Sequence, residues 1–272
     1  MRRLLLSAEP GHELSRFPPD LRATIERIAN EDEPLGDLPG LLQQVSALAP
    51  AIGAVQSALE AEPAPEALAE LVGAAGYELV RSTLQLRRSL PLPASGASSN
   101  ATAKRPKPRF RAFRPGQDEE AWVRVNNRAF AWHPDQSGWT VDDVRQRQGE
   151  PWFRPDGLLV HESTGPSDSP GSAAAPAGPA GPAIDGFCWT KIHAETDPPV
   201  GEIYVIAVDP AAHGLGLGRA LVVAGLDWLA TQGLEDAMLY VEADNEPALA
   251  LYRHLGFTEH QARRWWRQTL HA

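Results

Sequence analysis

The residues best suited to chemistry lie between positions 205 and 219. There the chain reads Val205-Ile206-Ala207-Val208-Asp209-Pro210-Ala211-Ala212-His213-Gly214-Leu215-Gly216-Leu217-Gly218-Arg219. A β-branched run passes through Asp-Pro into a turn with three alternate glycines, and an apolar helix-forming stretch follows. Gly214, Gly216 and Gly218 permit φ > 0 and let a ligand approach the backbone closely. A helix starting near Gly216 points its first N–H groups and its positive dipole end into that turn. A pyrophosphate fits such a place; a plain tight turn is the alternative, and three alternate glycines are an expensive way to make one. The spacing is Gly-x-Gly-x-Gly, not the Gly-x-Gly-x-x-Gly of dinucleotide folds. Cys188 is the single cysteine, which leaves neither an internal disulfide nor a Cys-based zinc site. Its mid-strand position reads as core rather than as nucleophile, and no metal is expected.

Such a loop needs a strand before it and a helix after it. Residues 202–208 supply the strand, and residues 216–232 the helix, with Leu217, Leu221, Ala224 and Trp228 on one face. Strands are also expected at 109–113, 157–162, 184–193 and 237–242, and helices at 118–130 and 246–255, before a final pair of short strands. The result is a mixed α/β (α+β) domain of six to seven strands. Upstream, residues 1–90 read as mostly helical. Leu21, Ile25 and Ile28 mark one helix, Leu41, Leu42, Val45 and Leu48 a second, and Ile52, Val55 and Leu59 a third. A fourth spans 66–74, and a short strand pair follows at 77–80 and 83–86.

Two stretches of biased composition punctuate this order. Residues 91–108 have the Pro, Ser and Ala content of a linker. Residues 164–182 lack any bulky side chain and read as a long flexible loop. The expected organisation is therefore 1–90, a 91–108 linker, and a 109–272 domain. The gap-free alignment of 66–90 with 246–270 adds an internal repeat: Glu66 falls on Glu246, Leu71 on Leu251, Gly76-Tyr77 on Gly256-Phe257, and Arg87 on Arg267.

The 272 residues carry 25 Lys and Arg against 35 Asp and Glu, a net charge of −10. That balance disfavours a general binder of nucleic acid or anionic membrane. No apolar run reaches 18 residues, and the run at Leu4-Leu5-Leu6 is too short for a secretory signal. A soluble, cytoplasmic, monomeric protein is expected.

The glycine turn closely resembles the acetyl-CoA loop of the GNAT N-acetyltransferases, whose pattern is Gln/Arg-x-x-Gly-x-Gly/Ala after the fourth strand. His213 stands where that family has Gln or Arg, and the x positions here are not basic. Leu239-Tyr240-Val241-Glu242-Ala243-Asp244-Asn245, then Tyr252 and Leu255-Gly256-Phe257, match a second GNAT signature in the right order. The resemblance covers about residues 109–270 and implies a GNAT fold and acetyl-CoA as co-substrate. It implies that Ile206, Ala207, Val208, His213, Gly214, Leu215, Gly216, Leu217, Gly218 and Arg219 hold acetyl-CoA. Asn245, Glu246, Pro247, Ala248, Leu249 and Ala250 join them, with Asn245 on the pantetheine arm or capping the helix. Tyr252 is the implied acid for the CoA thiolate.

Within the GNAT proteins, Val125-Asn126-Asn127-Arg128-Ala129-Phe130-Ala131-Trp132-His133-Pro134-Asp135-Gln136, Trp189-Thr190-Lys191-Ile192-His193 and Gly201-Glu202-Ile203-Tyr204-Val205 are similar to the mycothiol synthases, a tandem GNAT family. That similarity implies acetylation of the cysteinyl amine of desacetylmycothiol. It gives acceptor roles to Asp135, Lys191, Glu202 and Tyr240, and implies that residues 1–90 are a degenerate, catalytically idle GNAT-like half. Glu202 opens the fourth strand beside the expected cleft. An α-amine of ordinary pKa 7.7–8.0 needs only a modest base of that kind. His161 and His193 read as surface residues. Two other readings share every acetyl-CoA residue: a GNAT acting on another amine, such as a protein N-terminus or an amino acid, and a non-catalytic acetyl-CoA-binding protein.

Overall fold

The computed structural model describes residues 2–7, 19–29, 35–48, 56–92, 108–133, 136–162 and 183–270. The expected loop 164–182, and all but the ends of the 91–108 linker, lie outside them. In chain order the elements are β1 (Arg2–Ser7), α1 (Pro19–Ala29), α2 (Leu38–Leu48), β2 (Gln56–Ala61), α3 (Glu66–Ala74), β3 (Glu78–Ser89), β4 (Phe110–Ala112), α4 (Glu119–Ala129), α5 (Val141–Gln148), β5 (Leu158–Glu162), β6 (Ile184–His193), β7 (Val200–Val208), α6 (Leu217–Thr231), β8 (Asp236–Glu242), α7 (Glu246–His254) and β9 (Thr258–Thr269). Among the described residues no helix is long and apolar enough to cross a membrane. The chain forms two compact units: Met1–Leu86 with Tyr240–Ala272, and Arg87–Leu239. Residues 240–272, expected within the 109–272 domain, thus pack with the N-terminal residues.

In the first unit β1 and β9 flank β2, both antiparallel to it, with Leu59 facing Leu4 and Trp266. Leu38, Leu41, Leu42 and Val45 give α2 a buried face at helical spacing. They share a core with Ile25 and Ile28 of α1, Leu68 and Val72 of α3, Leu59, Tyr77, Trp266 and Leu270. Three sequence expectations change here. Leu59, assigned to a third helix, lies in strand β2, with Ile52 and Val55 outside the described residues. Ser57, Leu59 and Ala61 face inward at a spacing of two, and the Ser57 hydroxyl is satisfied by Tyr77 Oη at 2.6 Å. So short an apolar run does not distinguish a period of two from one of 3.6. The two expected strand pairs are single long strands, β3 and β9.

The repeat carries through to the backbone. α3 and α7 are both nine residues long, and β3 and β9 both twelve. Gly76 and Gly256 end the helices at φ 85° and 83°, and Tyr77 N and Phe257 N donate to Val72 O and Tyr252 O.

In the second unit β4, β5, β6 and β7 form an antiparallel run. β8 joins β7 in parallel over Gly201–Ala237, Glu202–Met238 and Ile203–Leu239, and β7 runs on to Val208. α6 buries Leu217, Leu221, Val222, Gly225, Leu226 and Leu229. This face is rotated from the expected one, since Trp228 is half-buried and donates Nε1–H to Asp156 at 3.2 Å. Gly225 is what lets α6 sit so close: a Cβ there would meet Cys188 Sγ at 2.6 Å and Ile203 Cδ1 at 2.8 Å. Trp122, fully buried on α4, packs tilted against Trp139 and Phe187 and edge-on to Trp189. Asp118 anchors the start of α4 through Arg111 at 2.6 Å and Arg114 N at 2.7 Å. The Gly225→Ala substitution should lower stability by about 1–3 kcal/mol through overpacking, read by denaturant titration; an unchanged midpoint would show that α6 can back away from β6 and β7 without loss.

Candidate active site

The glycine loop leaves a helix start bare. Gly214 and Gly216 adopt φ 76° and 75°, the left-handed region that a side chain disfavours. Gly216 is the N-cap of α6 and offers no side-chain acceptor to the first turn. A Cβ at 214 or 216 would meet nothing within 4 Å, and one at 218 only Val208 Cγ2 at 3.7 Å. The first turn of α6 thus has no side-chain cap, and a helix end of that kind offers its N–H groups and positive dipole end to an anion. His213, Leu215 and Arg219 are exposed, while Leu217 is buried. The His213 ring turns back to its own loop, with Nε2 3.1 Å from Val208 O. Just upstream, Asp209 accepts from Ala211 N at 2.9 Å and pairs with Arg128 at 3.1 Å, which fixes the exit from β7.

β7 itself changes character along its length. Its register against β6 shifts between Trp189/Val205 and Thr190/Ile203, leaving Tyr204 as a bulged residue. Beyond the bulge, Ile206, Ala207 and Val208 face Cys188, Phe187 and Gly186. In an antiparallel ladder only alternate residues bond to the partner, so the rest direct N–H and C=O groups to the other edge. Cys188 is fully buried and its thiol is pushed up to about 12 by desolvation, in keeping with a core role.

Before the bulge, Lys191 lies opposite Glu202, and His193 shares their face. Glu202 is 7% exposed, and its Oε2 lies 2.7 Å from His193 Nε2. His193 Nδ1 lies 2.9 Å from Glu195 Oε1. The bond to Glu202 raises the His193 pKa above its ordinary value; burial opposes this and Glu195 adds to it. Lys191 Nζ sits 5.1 Å from the Trp152 ring centre and 5.8 Å from that of Tyr204.

Asp135 lies outside the described residues. On either side of it, Asn126 Nδ2 donates to Gln136 O at 2.8 Å, and Asn127 exchanges two bonds with the Trp139 backbone. Lys191, Glu202 and residues 206–208 and 213–219 all fall in the Arg87–Leu239 unit. Tyr240, Asn245 to Ala250 and Tyr252 belong to the other unit. Tyr240 is 40% exposed, its hydroxyl bonded to Glu62 and Gln85. Asn245 caps α7 by accepting from Ala248 N at 3.2 Å. Glu246, Pro247 and Ala250 are exposed there, and Leu249 is buried. Tyr252 is 7% exposed, edge-on to Phe257 at 5.8 Å.

The model of the acetyltransferase (GNAT) family matches residues 120–257. The chain belongs to that family. Among its relatives is the mycothiol acetyltransferase of Thermomonospora curvata, 46% identical over 195 residues, which are 71% of this chain and 57% of that one. The mycothiol acetyltransferase of Acidimicrobium ferrooxidans is 45% identical over 183 residues, 67% of this chain and 52% of that one. The chain thus spans little more than half the length of these relatives. Solved structures of similar fold include a GCN5-related N-acetyltransferase from Sphaerobacter thermophilus, with a TM-score of 0.56 and 21% identity, covering 86% of this chain and 65% of that one. A tandem GNAT protein from the clavulanic acid biosynthesis pathway gives 0.54 and 14%, covering 90% and 72%.

In this GNAT chain His193, read from the sequence as a surface residue, and Glu195 are the groups linked to Glu202 that sequence reading missed. Their signal was the hairpin register: Lys191 and His193 alternate on β6, and Glu202 faces them from β7. Two outcomes follow for the GNAT site. Gly216→Asp, at a position where an added Cβ meets nothing within 4 Å and φ 75° costs some backbone strain, should cut acetyl-CoA affinity at least about tenfold with the fold kept; unchanged affinity by calorimetry removes the phosphate assignment. A histidine whose pKa is raised by folding contributes stability fully below its ordinary value of about 6.5, and that contribution is lost as pH rises through the raised value. The melting-temperature gap between wild type and His193→Asn should therefore be wide near pH 6 and narrow toward about pH 9. A gap that widened with pH would contradict the pairing.

Proposed function

We propose that this chain is an acetyl-CoA-dependent N-acetyltransferase, a mycothiol synthase that acetylates the cysteinyl amine of desacetylmycothiol to give mycothiol and CoA. One observation carries the reading: β7 bears the buried Glu202 at one end and runs at the other into the bare start of α6. The matching relatives are named mycothiol acetyltransferase, which supports the choice of acceptor. In this reading residues 109–272 form the transferase domain, 91–108 a linker, and 1–90 a degenerate GNAT-like half. The protein would work as a cytoplasmic monomer on a small-molecule amine.

Residues 213–219 bind the pyrophosphate through backbone N–H groups, and Asn245 with residues 246–250 completes the acetyl-CoA site. Backbone amides of Ile206–Val208 polarise the thioester carbonyl. Glu202 takes the proton of the attacking amine, with His193 holding its carboxylate in place. Lys191, Asp135 and Tyr240 contact the acceptor. The amine nitrogen bonds to the acetyl carbon, the carbon–sulfur bond breaks, and Tyr252 gives its proton to the departing thiolate.

The test is CoA release with and without desacetylmycothiol, beside an N-terminal peptide and free amino acids as competing amines. Turnover should need desacetylmycothiol; equal turnover on the other amines would reject the acceptor, and none on any amine would reject the enzyme. Acid–base assistance is worth about 10²–10⁴-fold. Glu202→Gln should therefore lower kcat/KM for the amine by about that much, and most at low pH, where more of the amine is protonated. Raising the pH should rescue it in part. Tyr252→Phe should lower kcat without that rescue. Near-native rates for both variants across the pH range would remove these two roles.

A further inference from the structure

We propose that Glu62 and Gln85 are positioning residues for acceptor recognition, holding the Tyr240 hydroxyl so that it meets the acceptor as a hydrogen-bond acceptor. The inference rests on the reading of Tyr240 as an acceptor-binding residue. Tyr240 Oη donates to Glu62 Oε1 at 2.8 Å and accepts from Gln85 Nε2 at 2.7 Å. A phenol has one proton. Committed to a carboxylate, that proton is not offered to a ligand, and the oxygen becomes more electron-rich. The group it recognises must then be a donor: a hydroxyl or an ammonium.

The two partners are themselves fixed. Glu62 Oε1 also accepts from Gln261 Nε2 at 3.0 Å, and its Oε2 lies 3.7 Å from Arg263 Nε. Gln85 is 3% exposed on β3. Both come from the N-terminal segment, which bears no glycine loop. Residues 1–86 would thus serve the acceptor rather than acetyl-CoA.

The experiment is steady-state kinetics on the full chain with desacetylmycothiol as the acceptor. The set comprises Glu62→Ala, Glu62→Gln, Tyr240→Phe and the doubles. Glu62→Ala should raise KM for desacetylmycothiol about tenfold, with KM for acetyl-CoA and the melting temperature little changed. Glu62→Gln should do less, because an amide oxygen still accepts the phenolic proton. Each double should be no worse than Tyr240→Phe alone, since the residues act through one hydroxyl. If Tyr240→Phe leaves the acceptor KM unchanged, the reading of Tyr240 fails and the proposal with it. If Tyr240→Phe raises KM but Glu62 variants do not, or the effects multiply, the proposal alone fails. Should Glu62→Ala not fold, the cycle with Glu62→Gln decides in the same way. No turnover by the wild type overturns the functional reading itself.

Discussion

The start of α6 carries no side-chain cap, and much of the Arg87–Leu239 unit is arranged around that open helix end. A helix N-terminus is ordinarily closed by Ser, Thr, Asp or Asn, and Gly in that place gives up roughly a few tenths of a kcal/mol. The chain uses that device elsewhere: Thr140 and Asp143 form a capping box at α5, and Asn245 caps α7. At α6 the cap is Gly216 at φ 75°, with no side-chain bond. The stability given up there is recovered along the helix, where Leu217, Leu221, Val222, Leu226 and Leu229 are buried. Gly225 brings that apolar face against Cys188 and Ile203. A closely docked helix keeps its open end in place, so the dipole and the N–H groups have a fixed direction.

β7 meets a second demand, since one strand must present a carboxylate and also a row of backbone donors. The bulge at Tyr204 separates the two tasks. On one side the register puts Glu202 opposite Lys191 and within 2.7 Å of His193. On the other, residues 206–208 keep the β6 ladder while alternate amides turn to the opposite edge. The bulged Tyr204 packs against Trp152 at 5.1 Å and Trp189 at 5.7 Å, which anchors the irregularity in the core.

The parts of this design that were legible in the sequence are those set by local chemistry. Alternate glycines after a β-branched run announce a bare helix start, and they do so without tertiary information. β6 was read to its observed bounds, Ile184–His193, for the same reason. Leu59 was misread because a helix and a strand of six residues bury similar apolar fractions, and only pairing with Leu4 and Trp266 decides between them. His193 was passed over because its partner is nine positions away across a hairpin, and the polar residues between them give no periodic signal. Val141–Gln148 carries one buried apolar residue, Val144, too little to mark a helix by periodicity; its signal lay in the Thr140 and Asp143 cap.

The duplication explains why the first copy persists without a glycine loop. In the gap-free alignment Arg81 falls on Gln261, and the same offset carried upstream of it puts Glu62 on Glu242. The contacts respect that relation across the copies: Arg81 donates to Glu242 at 2.7 Å, and Gln261 to Glu62 at 3.0 Å. Each copy's long strand is thus bonded to the segment just before the other copy. β9 of the second lies on β2, which precedes the first, through six residue pairs, from Gln56–Thr269 to Ala61–Arg264. Trp266 and Leu270 of the second copy then complete a core built from the N-terminal helices with Leu59 and Ala61 of β2 and Tyr77. The copies have diverged at the helix start that follows, where Asn245 accepts from Ala248 N and Pro65 makes no side-chain bond. Loss of a cap is tolerable in a segment whose task is pairing. Loss of β2 is not, because β9 would lose one of its two neighbouring strands and the buried Trp266 the facing Leu59.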